Sequence, residues 1–141
     1  MRVVADASVA LKWFFRDRGS EGDTEAALDL LDGVRSGDVE LLQPPHFVAE
    51  VAAVLARELP QAARANLNDL LDIEMQVVED AAVYARALAL AIRHRQHVFD
   101  TLYHAIALEA AATLVTADDR YFHRARSEGR VLRLAEFARP A

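Results

Sequence analysis

Short, continuously apolar runs alternate along the chain with longer segments in which apolar residues recur every three or four positions. The runs are too short for helices and read as strands buried on both faces, whereas the recurrences read as amphipathic helices. Val3-Val4-Ala5 opens the series and ends in Asp6-Ala7-Ser8. Leu41-Leu42 is stopped by Pro44-Pro45, and Met75–Val78, Thr113–Thr116 and Val131-Leu132 complete it. Between them the pattern predicts helices over Val9–Phe15, with Ser8 as N-cap, and over Thr24–Arg35, with a polar loop from Arg16 to Asp23. Further helices are expected over Phe47–Glu58, Pro60–Leu71, Ala81–Arg95, Thr101–Ala112 and Asp119–Arg126. The one over Thr101–Ala112 is apolar on most sides and should be buried. Strands alternating with helices predict an α/β fold whose parallel sheet is covered on both faces.

The acidic residues fall at particular points of this pattern. Asp6 ends the first strand, where open α/β sheets place their ligands. Glu50 lies in the first turn of the helix after strand two, Asp100 immediately before the buried helix, and Asp118 just past strand four. Residues that follow strands one, two and four share one edge of a parallel sheet. If strand one is central, Asp6, Glu50 and Asp118 converge there, and Asp100 joins them if its helix starts at the same edge. Each acid also has a purely structural role open to it: Asp6, Asp100 and Asp118 suit turns or helix caps, and Glu50 suits a helix N-terminus. Gathered together, however, such carboxylates repel and raise one another's pKa unless a cation offsets them. Hard oxygen donors without histidine or cysteine point to Mg2+ or Mn2+. The chemistry most served by such a set is phosphodiester hydrolysis.

Composition narrows the choice. At 141 residues, 53% hydrophobic and 27% charged, the chain fits one domain over residues 1–141 with a real core. It has no cysteine, which excludes disulfides, thiolate zinc sites and cysteine nucleophiles. No apolar run approaches a membrane span and the N-terminus lacks a signal-peptide pattern, so a cytoplasmic location is expected. A formal net charge of −6 argues against a nucleic-acid coat protein, but not against a nuclease whose cations offset part of that charge. Lys12 is the only lysine, so any lysine-dependent mechanism must use it.

Four stretches carry a family resemblance: Val4–Trp13, Ala49-Glu50-Val51-Ala52, Phe99–Ala105 and Val115–Tyr121. In order and spacing they resemble the four motifs of PIN-domain ribonucleases, and the length and opening most resemble VapC-type toxins of bacterial and archaeal toxin–antitoxin systems. The resemblance covers essentially the whole chain. It implies a three-layer α/β/α sandwich with a parallel sheet of about five strands in the order 3-2-1-4-5. It implies a Mg2+- or Mn2+-dependent endoribonuclease acting on structured RNA, often transfer or ribosomal RNA. It implies a homodimer neutralised by a cognate antitoxin, as a heterotetramer or larger assembly. By position, Asp6, Glu50, Asp100 and Asp118 would form the acidic catalytic site. Asp6, Asp100 and Asp118 would be its metal ligands, with Ser8 and Thr116 behind them as hydroxyls. Asp119 is placed to share or replace the role of Asp118. Ala53 stands where many relatives have Asn.

Other residues and rival folds complete the picture. Arg93 and Arg95, in the run Arg93–His97, suit either a solvated helix end or phosphate contact. Arg120, beside Arg124 and Arg126, suits phosphate or an antitoxin acid. His104 lies one helical turn after Asp100, within reach of the acids or satisfied by packing. Trp13, Phe14 and Phe15 suit the core plus one partner-facing ring. A haloacid-dehalogenase-type phosphatase would carry a second Asp where Ser8 stands, and a response-regulator receiver would need a lysine after a late strand. A phosphatase-like Mg2+-dependent phosphohydrolase and a catalytically silent PIN-fold interaction domain are the alternatives to a ribonuclease.

Overall fold

The computed structural model describes residues 1–15 and 21–140. In chain order the elements are β1 (Arg2–Ala5), α1 (Ala7–Phe14), α2 (Glu21–Ser36), β2 (Glu40–Gln43), α3 (Phe47–Glu58), α4 (Ala63–Leu71) and β3 (Gln76–Val77). They continue with α5 (Ala81–His94), α6 (Val98–Ala110), β4 (Thr113–Thr116), α7 (Asp119–Ala125) and β5 (Val131–Arg133). The strands form one parallel five-stranded sheet in the order β3-β2-β1-β4-β5. This is the α/β architecture and strand order implied by the resemblance. Helices α1 and α2 pack on each other, as do α5 and α6, and α1 and α6 both pack on the sheet. The chain steps outward from β1 to β3 and then crosses back to β4. Right-handed crossovers therefore put the α5–α6 pair on the face opposite α1–α2.

The apolar strand runs form the middle layer. Val3, Val4, Ala5, Leu41, Leu42, Leu114 and Val115 are all buried, which explains why these strands are continuously apolar rather than alternating. Each fully buried Val or Leu contributes roughly 1.5–3 kcal/mol by removing its apolar surface from water. Helix α6 has an unbroken buried stretch from Thr101 to Ala107, as its apolar circumference predicts. Among the described residues no helix is long and apolar enough to cross a membrane.

One irregularity of the sheet shapes its carboxyl edge. β1 stays in register with β4 up to Ala5 opposite Val115, and the Asp6 N–H continues the ladder to the Val115 carbonyl at 3.0 Å. Against β2 the register runs only through Arg2–Glu40 and Val3–Leu41. There the buried Gln43 side chain takes over: its Oε1 accepts the Ala5 N–H at 2.8 Å and its Nε2 donates to the Ala5 carbonyl at 2.8 Å. An amide side chain thus replaces a strand neighbour, and the two strands part just before Asp6.

Several boundaries differ from the sequence expectation. Helix α2 begins at Glu21 rather than Thr24, and residues 16–20 of the expected loop lie outside the described residues. Helix α4 begins at Ala63, because Pro60 instead starts a turn closed by the Ala62 N–H on the Leu59 carbonyl at 3.1 Å. Helix α6 begins at Val98, three residues before Thr101. Val98 packs against the core, and that packing outweighs the preference of Asp100 for a cap. Helix α7 ends at Ala125 and passes into a 3-10 turn at Arg126–Glu128.

Candidate active site

Asp6 follows β1 directly and, rather than Ser8, is the N-cap of α1. Its Oδ2 accepts the Ser8 N–H at 3.2 Å and the Ser8 hydroxyl. Ser8 sits inside the helix, which frees its hydroxyl to turn back. The same Ser8 oxygen accepts the Ala117 N–H at 3.1 Å. Thr116 Oγ1 donates to Asp6 Oδ2 at 3.5 Å and accepts the Asp118 N–H at 3.0 Å. Two hydroxyls therefore tie the residue after β1 to the residues after β4. Asp118 in turn caps α7, accepting the Tyr121 N–H at 3.1 Å.

Glu50 and Asp100 arrive on helices instead. Glu50 lies in the first turn of α3, where its Oε1 accepts from the Tyr103 hydroxyl at 2.6 Å and from His46 Nε2 at 3.1 Å. Asp100 lies in the first turn of α6. The N-cap is His97, which makes no side-chain capping bond, so the cap role predicted for Asp100 does not apply. Tyr103 is one turn further along the same helix, and its ring packs edge-on to those of His46 and Phe47.

These carboxylates feel one another. Burial pushes the Asp6 carboxyl up to about 6; the Ser8 bonds oppose this, and the charges of Asp100 and Glu50 add to it. Asp100 is raised by burial, by Glu50 and by Asp118, against the partial relief of His97 and His46. Glu50 goes the other way. Burial alone would raise it, but the hydrogen bonds from His46 and Tyr103, with the His46 charge, hold it below the usual carboxylate range. The Tyr103 hydroxyl is raised by burial and by its bond to Glu50, so it stays protonated as a donor. Asp6, Glu50, Asp100 and Asp118 thus form one electrostatically linked group at the carboxyl edge of the sheet. Among the described residues no three His, Asp or Glu side chains lie together so as to hold a metal ion as they stand. The chemistry of the donor set nonetheless suits a hard cation. All four donors are carboxylates, and Asp6 and Asp100 are destabilised by burial and like charge in a way that a cation would relieve.

The remaining predicted residues lie as follows. Asp119 is exposed and lines a cavity of about 330 Å³ with Thr116, Ala117 and Arg133. Arg93 is paired with Glu128 at 2.7 Å, beside His94 on the same carboxylate oxygen at 2.6 Å. Arg95 takes the left-handed C-cap position of α5 (φ 54°), and Arg120 is exposed at the start of α7. His104 is satisfied by packing: its Nε2 donates to the Gly129 carbonyl at 2.7 Å, so its Nδ1 accepts from the Tyr121 hydroxyl at 2.9 Å. Burial pushes its pKa down, in keeping with a neutral ring that holds α7 in place. Trp13 is core, its indole N–H donating to the Ala27 carbonyl at 2.9 Å.

The sequence pattern missed three contributors. His46 stands four residues before Glu50, a spacing that puts both on one helical face and could have flagged it. Tyr103 stands three residues after Asp100 for the same reason. Gln43, a polar residue closing an apolar strand, carried no signal beyond its type.

A family model for the PIN domain matches residues 3–128. Among solved structures, VapBC2 from Rickettsia felis, crystallised with a DNA fragment from its promoter, is similar in fold at a TM-score of 0.68. That match has 11% identity and covers 94% of this chain and 97% of the other. FitAcB from Neisseria gonorrhoeae is similar at a TM-score of 0.64 and 21% identity, over 96% and 99% of the two chains. No curated protein matches the chain at a significant level.

Proposed function

The chain belongs to the PIN-domain family, and on that premise we propose that it is a Mg2+- or Mn2+-dependent endoribonuclease, the toxin of a toxin–antitoxin pair. The observation that carries this reading is the linked group of Asp6, Glu50, Asp100 and Asp118 at the carboxyl edge of a parallel sheet. The likeness in fold to the VapBC2 and FitAcB complexes supports an antitoxin partner; an assembly built on a homodimer is part of the same proposal.

Asp6, Asp100 and Asp118 are the residues that would hold the cation. When bound, it supplies the positive charge that acidifies a water and stabilises charge on the phosphate and the leaving oxygen. The chain's own part is to hold the acids in place. Ser8 and Thr116 fix Asp6 by donating to Oδ2, which leaves its other oxygen for the cation. Glu50 has Oε1 committed to His46 and Tyr103 and is kept ionised by them, so Oε2 is free to orient the attacking water. Arg95 and Arg120 are exposed cations suited to RNA phosphates or antitoxin carboxylates.

The test is direct. Purified chain, freed of any antitoxin, is incubated with structured RNAs in Mn2+ or Mg2+, with chelator and with Asp100→Asn as controls. Internal cuts that vanish in both controls are expected. Intact RNA with every divalent metal, across several substrates, would contradict the proposal. A second reading, a silent PIN-fold interaction domain, is favoured by the capping bonds of Asp6 and Asp118, which give those acids work without a cation. In that case Mn2+ would not raise the melting temperature.

A further inference from the structure

His46 touches both helices that deliver Glu50 and Asp100. It immediately precedes α3, and its side chain is only 16% exposed. Its Nε2 lies 3.1 Å from Glu50 Oε1 and 2.9 Å from the carbonyl oxygen of Phe99, the residue before Asp100. Neither partner has a proton to give: one is a carbonyl and the other an ionised carboxylate. Nε2 must therefore carry the hydrogen, which it donates to the Phe99 carbonyl with Glu50 Oε1 alongside. The ring cannot easily turn away. Its centroid is 5.2 Å from that of Phe99 and 5.2 Å from that of Tyr103, both in edge-on contact. One N–H thus spans the first turn of α3 and the first turn of α6, the two turns that carry helix-borne acids.

We propose that His46 is a positioning residue that braces Glu50 against the Phe99–Asp100 turn and so sets the spacing between these two carboxylates. It acts through its two acceptors and does not touch substrate. The proposal rests on the acid group being the metal-dependent site. A bond of this kind orients a ligand set from behind, and losing such a partner typically costs about 10–100-fold in metal affinity or activity. The donor is the whole of the effect, since the ring's packing can be supplied by another aromatic side chain.

The experiment compares parent, His46→Phe and His46→Gln. Phe keeps the ring but has no donor; Gln keeps an N–H donor at similar reach. Two quantities are read: the Mn2+ concentration that half-saturates the rise in melting temperature, and kcat and KM for RNA cleavage. With His46→Phe, half-saturation should move up about 10–100-fold and kcat should fall by a similar factor, with KM changing less than about threefold. His46→Gln should recover most of both. If Phe does not fold at this position, His46→Leu serves as the donor-free arm. A purely structural histidine would lower the chelated melting temperature and leave Mn2+ half-saturation unchanged. That outcome, or His46→Gln behaving no better than His46→Phe, overturns the brace while the metal-site reading stands. A parent that neither responds to Mn2+ nor cuts RNA overturns both.

Discussion

Asp6 and Asp118 are held differently from Glu50 and Asp100. The first pair follows strands, accepts from the N-termini of α1 and α7, and is cross-tied by the hydroxyls of Ser8 and Thr116. Those bonds do structural work whether or not a cation is present. The second pair sits inside first helical turns and caps nothing. Glu50 depends on His46 and on Tyr103, a residue 53 positions away, while for Asp100 burial and the charges of Glu50 and Asp118 outweigh the partial relief of His97 and His46. One half of the site is therefore part of the scaffold, and the other half is mounted on it. Removing an acid should cost function on both sides but stability on only one.

The largest effect tests that contrast. Asp100→Ala and Asp118→Ala should each reduce RNA cleavage by about a hundredfold or more, the scale typical of removing one electrostatic contributor. In chelator Asp118→Ala should also lose about 0.5–2 kcal/mol as a helix cap is removed. Asp100→Ala should be no less stable than the parent, because it removes a carboxylate that burial disfavours. Cleavage assays with chelated melting curves check this; equal destabilisation by both variants would erase the distinction.

Next in size is the pH dependence of Asp6. Its folded pKa is about 6 against an ordinary 3.8, so the folded state binds more protons between those values. Its ionisation therefore costs stability as pH rises from about 4 to above 6. In chelator Asp6→Asn should be the more stable protein at pH 7, by at most about 3 kcal/mol, with the advantage fading as pH falls through 6 toward 4. Melting curves across that range show whether the difference closes. Glu50 should behave oppositely. Its lowered pKa means that the Tyr103 bond stabilises above the ordinary value of 4.5 and is lost as pH falls through the folded pKa. Tyr103→Phe should thus cost about 1–2 kcal/mol at pH 7, discounted because Glu50 is partly exposed, and progressively less as pH falls through the folded pKa of Glu50.

The smallest effects concern the arginines. Arg93→Ala breaks an exposed pair with Glu128 and should cost at most about 1 kcal/mol, with no change in the salt dependence of RNA binding. Arg120→Ala should flatten that dependence by about one unit of slope if it meets a phosphate. Binding titrations at several salt concentrations separate the two.

What could be read from the sequence follows the same division. The strand side was legible because its chemistry is local: an apolar run, an acid and a hydroxyl two residues later signal a strand end and a turn within a few residues. The strand runs and the buried α6 stood out because periodicity reports burial directly. The helix side depends on contacts between distant segments. In the sequence Asp100 looks like a cap and points to a later start for α6, and only the packing of Val98 shows that the helix has already begun. The Gln43 bridge and the His46 contact to Phe99 join residues 38 and 53 positions apart, and no local pattern encodes them.

The central claim is that the acids form a cation site rather than a set of caps, and Asp6 tests it best because it has features of both. Asn is as good an N-cap as Asp, so Asp6→Asn keeps the structural bond and removes only the charge. Melting curves of parent and Asp6→Asn, each in chelator and in Mn2+, isolate that charge. The account predicts that Mn2+ raises the parent's melting temperature by several degrees and the variant's hardly at all, while in chelator the variant is at least as stable as the parent. A variant that keeps the full Mn2+ response would remove Asp6 from the metal site and contradict the account.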